Sequence, residues 1–262
     1  FDYSQVEKAE DLLYKIYASL NEDFEVFNPL YIPAERTILS MIAESLFGLL
    51  NNDISLAKCI KDFGSKFETA RKELKKASIG ILNAKYSYTN KTNVITLDDG
   101  TKLKLEQASS GFQSLTPLYL VVEHFLDKNS VTRNCVTVEE PELNLYPTNQ
   151  KKLVEFLVRK TKAAGDKLII TTHSPYVVTT IDNLVQANNV AAARPEAKEE
   201  LAGLVSPDLW LDYNKTTCYF FDNGSCRSTL DAETQSIGPS NLDDVSTQIG
   251  EVYERMVELK YS

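Results

Sequence analysis

Two short apolar runs in the middle of the chain have the same form. Residues 135–138 lead into Glu139 and Glu140, and residues 167–170 lead through two threonines to His173. Neither run alternates with polar residues, which predicts two parallel strands that are buried on both faces. Each run is followed by a proline within a few residues, so both strands are predicted to end at polar side chains.

The segment between these runs has the pattern of a helix. Residues 148–164 are predicted to form it, with Thr148 as the cap and Gly165 at the end. Its apolar stripe consists of Leu153, Val154, Leu157 and Val158. A strand, a helix and a strand of this length predict one βαβ unit, whose two strands lie parallel and close together.

The rest of the chain alternates between helical and strand patterns. Residues 79–105 have the turn signals of an antiparallel segment of two or three strands, around residues 89–91 and 98–100. The other predicted elements are helices at 4–20, 37–51, 55–76, 113–126 and 176–180, a strand at 24–27, a hairpin of 217–221 with 226–230, and a last helix capped by Asn241. The pattern as a whole predicts an α/β fold.

Composition narrows the class of protein. The chain has 262 residues, 43% of them hydrophobic, a formal net charge of -9 and a pI near 4.9. This charge disfavours a broad electrostatic grip on nucleic acid. No apolar stretch is long enough to span a bilayer and no secretory segment opens the chain, so we expect a cytoplasmic protein with no membrane partner. Four scattered cysteines and two histidines disfavour a zinc site.

The acidic pair and the histidine are the first candidates for chemistry. Two adjacent carboxylates at a strand end suit phosphoryl chemistry, in which one holds Mg²⁺ and the next orients or deprotonates an attacking water. The alternative is that Glu139 and Glu140 are surface charges. His173 could contact a γ-phosphate, or it could be an ordinary structural group. Because ligands bind at the carboxyl ends of strands in open α/β sheets, we expect all three side chains to face one crevice.

Small residues mark another helix start. Ser109, Ser110 and Gly111 precede the predicted helix that includes Gln113. Free N–H groups and the helix dipole favour an anion at such a start. The alternative is an ordinary helix cap.

The order of these motifs resembles the ATP-binding-cassette type of P-loop NTPase head. The similar branch includes SMC proteins, RecF-like proteins and the OLD-family ATPases within the bacterial "AAA family ATPase" group. Residues 109–113 resemble the signature motif, 136–140 Walker B and 141–146 the D-loop, and His173 resembles the switch histidine. The sequences EEPELNLYP, TTHSP and YIPAER are also similar to that group. The resemblance covers about residues 24–185.

The resemblance implies an ATPase with ATP and Mg²⁺ as cofactors and a homodimer that sandwiches ATP between its heads. It implies that Glu139 assists Mg²⁺, that Glu140 is the general base and that His173 senses the γ-phosphate. The residues that would contact ATP from the other subunit are Ser110, Gly111 and Gln113. Two positions depart from the family pattern: Glu139 stands where Asp is usual, and Phe112 replaces the second signature glycine.

One motif of the family is not in this sequence. No glycine is followed by lysine, so there is no GxxxxGK[ST] loop to hold the β- and γ-phosphates. That loop lies near the N-terminus in the family, and this chain begins with Phe1. We therefore expect an upstream part to have been lost and the chain alone to bind ATP poorly.

We expect a single ATPase domain over residues 1–262. Its predicted parts are a helical insertion with a short strand at 1–78, the core with the signature, Walker B and switch histidine at 79–185, and a hairpin and helix at 186–262. In the intact protein, ATP-driven dimerisation would act on an effector protein or DNA, in phage defence or DNA repair. The alternatives are a non-catalytic interaction module of the same fold and the ATPase part of an OLD-type nuclease.

Overall fold

The computed structural model describes residues 27–42, 56–126, 133–238 and 244–261. Two compact units divide the chain, residues 1–171 and residues 172–262. The helix predicted at 4–20, the last part of the helix predicted at 37–51 and the Asn241 cap lie outside the described residues. The division of a single ATPase domain at residues 78 and 185 stays a prediction.

Among the residues that the structure describes, the first unit is built on a parallel sheet of three strands. Its strands are β1 (Phe27–Ile32), β6 (Arg133–Glu139) and β7 (Lys167–Thr171), in the order β1-β6-β7. Strands β6 and β7 pair in parallel, as the βαβ prediction requires. Together with the flanking helices, this sheet confirms the predicted mixed α/β fold.

Strand β1 extends further along the sequence than predicted. Residues 24–27 were the predicted strand, whereas the structure has Phe27–Ile32, and residues 24–26 lie outside the described part. The sequence prediction stopped too early because Pro29 interrupts the pattern. A proline is tolerated here because β1 is the end strand of the described sheet, with β6 on one side only.

The prediction that the strands are buried on both faces was wrong. Leu30, Val136 and Val138 point into the core, but Ile169 on the opposite face is 48% exposed. On that face Cys135 and Thr137 are only half-buried. Buried and exposed positions therefore alternate along these strands. The sequence pattern does not indicate this alternation, because the residues on the open face are themselves apolar or weakly polar.

Two helices contribute to the same core as the sheet. Helix α3 (Ser110–Phe125) and helix α4 (Pro147–Ala164) bury apolar residues that belong to one cluster with β1 and β6. Helix α4 has its predicted stripe and ends at Gly165, with φ +72°. Its predicted cap was wrong, because the helix begins at Pro147, whose fixed φ suits the first helical position. The cap residue is therefore Tyr146.

A polar helix and an antiparallel sheet precede α3. Helix α1 (Thr37–Ile42) is followed by α2 (Lys58–Leu74). The sheet has four strands, one more than the maximum predicted, because residue 76, predicted to end the preceding helix, already belongs to a strand. The strands are β2 (Lys76–Ile79), β3 (Ala84–Thr89), β4 (Thr92–Leu97) and β5 (Lys102–Lys104).

The second unit contains helices and two short hairpin sheets. The predicted helix at 176–180 is part of the longer α5 (Pro175–Ala193). The predicted hairpin is confirmed as β8 (Tyr219–Asp222) and β9 (Ser225–Ser228), with a turn at Asn223 and Gly224 that has positive φ at both residues. The elements after α5 are α6 (Lys198–Leu204), β8 (Tyr219–Asp222), β9 (Ser225–Ser228), β10 (Leu230–Asp231), β11 (Ser236–Ile237) and α7 (Asp244–Tyr261).

Candidate functional site

The acidic pair lies at the carboxyl end of the parallel sheet. Glu139 is the last residue of β6 and pairs with Thr171 at the end of β7. Glu140 turns the chain away from the sheet with φ +40°, while its N–H donates to the carbonyl of Thr171 at 2.8 Å. A non-glycine residue in this left-handed region costs about 1 kcal/mol or more, so the surrounding contacts must hold it there.

The carboxylate of Glu139 is held by the segment at the end of β1. Its Oε2 accepts the Ala34 N–H at 3.3 Å. The hydroxyl of Tyr31 is hydrogen-bonded to the same carboxylate, and this bond, with burial and the negative charge of Glu139, raises the pKa of Tyr31 to about 12. Glu139 and Glu140 are both half-buried. These contacts fix where the Glu139 oxygens lie.

Three tyrosines of the first unit have raised pKa values, from which we expect a loss of stability at alkaline pH. The pKa of Tyr31 is raised to about 12 by its bond to Glu139, and that of Tyr119 to about 12 by burial. Burial also raises the pKa of Tyr86. A raised folded-state pKa stabilises the fold fully below the unfolded value, near pH 10, and this contribution is lost as the pH rises towards 12.

Urea unfolding between pH 9 and pH 11.5 would measure this loss. Tyr31→Phe removes one of the three phenols, so we expect its stability to fall less steeply with pH than that of the wild type. An identical pH dependence in Tyr31→Phe would contradict the link between Tyr31 and Glu139.

The serine-glycine motif begins helix α3. Ser109 is the cap residue, in an extended conformation, and its side chain makes no capping hydrogen bond. The N–H groups of the first turn are therefore not taken by that hydroxyl. An added Cβ on Gly111 would lie 3.0 Å from the carbonyl oxygen of Asn144, in the turn after Glu140. The start of α3 thus packs directly against the segment that follows the acidic pair.

The side chain of Gln113 faces the segment that leads into α3. Its Nε2 donates to the carbonyl of Glu106 at 3.0 Å and to that of Ala108 at 2.9 Å. Both amide hydrogens are therefore used within the chain. A contact between Gln113 and ATP stays a prediction.

Pro117 changes the hydrogen bonds of α3. A proline has no N–H, so the carbonyl of Gln113, four residues earlier, lacks its helical donor. The hydroxyl of Ser40 donates to that carbonyl at 2.7 Å. The neighbouring carbonyl of Ser114 accepts the Nε of Arg36 at 3.2 Å. The proline thus leaves one carbonyl to be satisfied by α1, and an arginine bonds the next carbonyl along.

A double-mutant cycle tests this compensation. Ser40→Ala should lower the free energy of unfolding by about 1 kcal/mol, because the half-buried Gln113 carbonyl loses its donor. In a Pro117→Ala background the restored N–H satisfies that carbonyl, and the cost of Ser40→Ala should shrink by about 0.5 kcal/mol or more. Denaturant unfolding of the four proteins measures the cycle. An equal cost in both backgrounds would contradict it.

Arg36 is the residue of this site that the sequence prediction missed. It is fully buried, and it donates to five main-chain carbonyls in three separate segments. Burial lowers its pKa to about 10, and the nearby carboxylates of Glu142, Glu140 and Glu139 oppose that shift. The arginine therefore stays charged at neutral pH. The signal in the sequence was the YIPAER segment, a charged residue between a strand and a mostly apolar helix.

His173 lies in the second unit, just before helix α5. Its side chain is exposed. The next residue, Ser174, caps α5 by accepting the Tyr176 N–H at 3.2 Å, and its own N–H donates to the Thr172 hydroxyl at 2.9 Å. The local structure around His173 is thus fixed by short-range hydrogen bonds. Its convergence with the acidic pair stays a prediction.

The donor set of the site suits a hard cation that brings other ligands with it. Among the described residues, no group of three or more His, Cys, Asp or Glu side chains could hold a metal ion by itself. Mg²⁺ commonly keeps several waters and takes phosphate oxygens, so it needs only one or two carboxylates from the protein. Glu139 and Glu140 can supply these oxygens.

No described helix has the length and apolarity to cross a membrane.

A comparison with known protein families agrees with this architecture. A family model described as an AAA ATPase domain matches residues 3–178, which include the acidic pair, the start of α3 and His173. No curated protein matches the chain. The matching family consists of P-loop ATPases, which in general bind and hydrolyse ATP. The chain therefore belongs to the AAA ATPase domain family.

Proposed function

We propose that the chain is the ATP-binding and ATP-hydrolysing domain of an ABC- and SMC-like bacterial ATPase. The observation that carries this proposal is the acidic pair at the carboxyl end of the parallel sheet, where Glu140 has a left-handed backbone and the start of α3 packs beside it. This edge is where open α/β sheets bind ligands. Membership of the AAA ATPase domain family supports ATP as the ligand.

The two carboxylates would have different roles in ATP hydrolysis. When bound, ATP would supply the phosphoryl group to be transferred, and Mg²⁺ would neutralise negative charge on its oxygens. Glu139, whose oxygens are fixed by Tyr31 and Ala34, would hold Mg²⁺. Glu140 would orient the attacking water and accept its proton. His173 would sense the γ-phosphate.

The start of α3 would act on a second subunit. Ser110 and Gly111, with Gln113 nearby, would contact ATP held by the partner, so that ATP binding joins two heads. The first-turn N–H groups, which the Ser109 side chain does not cap, support an anion contact there. The dimer would then act on an effector protein or on DNA, in phage defence or DNA repair.

Release of phosphate from ATP by the intact gene product tests this function. We expect Mg²⁺-dependent hydrolysis and ATP-dependent dimers, measured by phosphate release and by light scattering after size exclusion. The sequence contains no GxxxxGK[ST] loop, which favours a second candidate, a non-catalytic interaction module of the same fold. Failure of the intact gene product to bind ATP would support that module, and metal-dependent nicking of DNA would support an OLD-type nuclease.

A further inference from the structure

Arg36 has an unusual environment for a charged side chain, because its guanidinium is fully buried. It has five N–H donors, and the structure gives it five acceptors, all of them main-chain carbonyls. None of its bonds goes to a carboxylate, although three glutamates lie close enough to favour its charge. A fully buried arginine that binds only backbone is suited to hold chain segments in place.

The five carbonyls come from three segments that are distant in sequence. Arg36 Nη1 donates to Pro33 at 3.1 Å, just after β1. Its Nε donates to Ser114 at 3.2 Å, within the second turn of α3. The remaining bonds go to the acidic turn, with Nη1 at 2.9 Å from the carbonyl of Glu139 and Nη2 at 3.0 Å and 3.3 Å from those of Glu140 and Pro141. One side chain thus joins the end of β1, helix α3 and the acidic turn.

The acidic turn needs such support. Glu140 has φ +40°, which an L-residue adopts only when its surroundings impose it. Three hydrogen bonds involve the backbone of this residue. Its N–H donates to Thr171, and its carbonyl accepts from the Leu143 N–H at 3.1 Å within the turn and from Arg36 Nη2. The backbone angles of Glu140 determine the direction of its side chain. The bond from Arg36 therefore bears on where the Glu140 carboxylate lies.

We propose that Arg36 is a positioning residue for ATP hydrolysis, which fixes the Glu140 carboxylate and links it to helix α3. This inference rests on the proposed function of the site. Arg36 touches neither ATP nor water in this role and acts only through the backbone. Because the same guanidinium bonds the second turn of the helix that begins at Ser110, a shift at that helix is transmitted to the acidic turn.

Arg36→Lys is the variant that separates positioning from simple stability. It keeps the charge but offers three donors from one nitrogen, so it cannot reach all three segments at once. In the intact gene product we expect the kcat of ATP hydrolysis to fall about 10- to 100-fold, because a misplacement of about 1 Å costs this much. The KM for ATP should change by less than about twofold, because uniform binding is unaffected.

Tyr86→Phe is the matched control. It removes a buried hydrogen bond of 2.6 Å, from Tyr86 to Asn93, in the antiparallel sheet. It should lower the melting temperature and leave kcat unchanged when both proteins are assayed below their melting temperatures. An Arg36→Lys protein with lower thermal stability and unchanged kcat would show that Arg36 is only structural and overturn the proposal.

A second measurement does not depend on activity. Amide hydrogen exchange of residues 138–145 should be faster in Arg36→Lys than in the wild type, and unchanged in Tyr86→Phe. If the wild type hydrolyses no ATP, the proposed function fails, and exchange still decides whether Arg36 holds the acidic turn. Unchanged exchange in Arg36→Lys would overturn that role. If Arg36→Lys does not fold, Arg36→Ala refolded with ethylguanidinium replaces it. Exchange protection of residues 138–145 that depends on ethylguanidinium supports the proposal, and the absence of such protection, whether or not the protein folds, overturns it.

Discussion

Glu140→Gln is expected to lower ATP turnover by the intact gene product at least about 100-fold, while ATP binding and ATP-dependent dimers are retained. Glutamine keeps the size and hydrogen-bonding oxygen of the side chain but cannot accept a proton at neutral pH. The backbone bond from Glu140 to Thr171 does not involve the side chain, so the acidic turn should stay intact. Phosphate release under single-turnover and steady-state conditions measures the loss.

The control for Glu140→Gln is the same chemical change on the surface of α2. Glu68 makes an exposed ion pair with Lys72 at 2.7 Å, and Glu68→Gln should leave turnover within about twofold of the wild type, because such pairs contribute little. Unchanged hydrolysis in Glu140→Gln would remove Glu140 from the role of general base. A loss of ATP binding in this variant would instead assign Glu140 to holding the nucleotide and its metal.

Gly111→Ala is expected to destabilise the protein before any nucleotide is present. Its added methyl would lie 3.0 Å from the carbonyl oxygen of Asn144, closer than a carbon normally approaches backbone. Hydrogen bonds from the Leu143 N–H to the Glu140 carbonyl at 3.1 Å and from the Leu145 N–H to the Glu142 carbonyl at 3.0 Å hold this turn, so it has little freedom to move away. Overpacking of this kind costs about 1–3 kcal/mol, which denaturant unfolding without ATP would measure.

Gly203→Ala provides the comparison for Gly111→Ala. Gly203 lies in helix α6, and an added Cβ there meets nothing within 4 Å. Alanine is the better helix former by about 1 kcal/mol, so this change should be neutral or stabilising. If Gly111→Ala is also neutral without ATP and only weakens ATP-dependent dimers, the packing explanation is wrong and a direct contact between Gly111 and phosphate is favoured.

The sequence predicted the parts of the site that depend on short-range patterns. The acidic pair was placed correctly at the end of β6 because strands stop where apolar residues give way to charges and proline. The helix before β7 was predicted up to its last residue because Gly165 is a strong helix terminator. The parallel pairing of β6 and β7 followed from the length of the segment between them.

Contacts between distant segments were beyond prediction. Nothing local to Arg36 shows that its side chain reaches carbonyls 78 and 105 residues further along the chain. The left-handed backbone of Glu140 also depends on tertiary contacts, since glutamate has no intrinsic preference for it. The open face of the sheet could not be predicted either, because the exposed Ile169 is as apolar as a core residue.

Pro117 makes the hydrogen bonding of α3 depend on another helix. The carbonyl of Gln113 accepts its hydrogen bond from a hydroxyl of α1, more than seventy residues earlier in the chain. In an isolated α3 segment that carbonyl would be left to water, and it gains a protein donor only when α1 packs against the helix. The hydrogen bonding of α3 is therefore completed by tertiary packing and not by the helix alone.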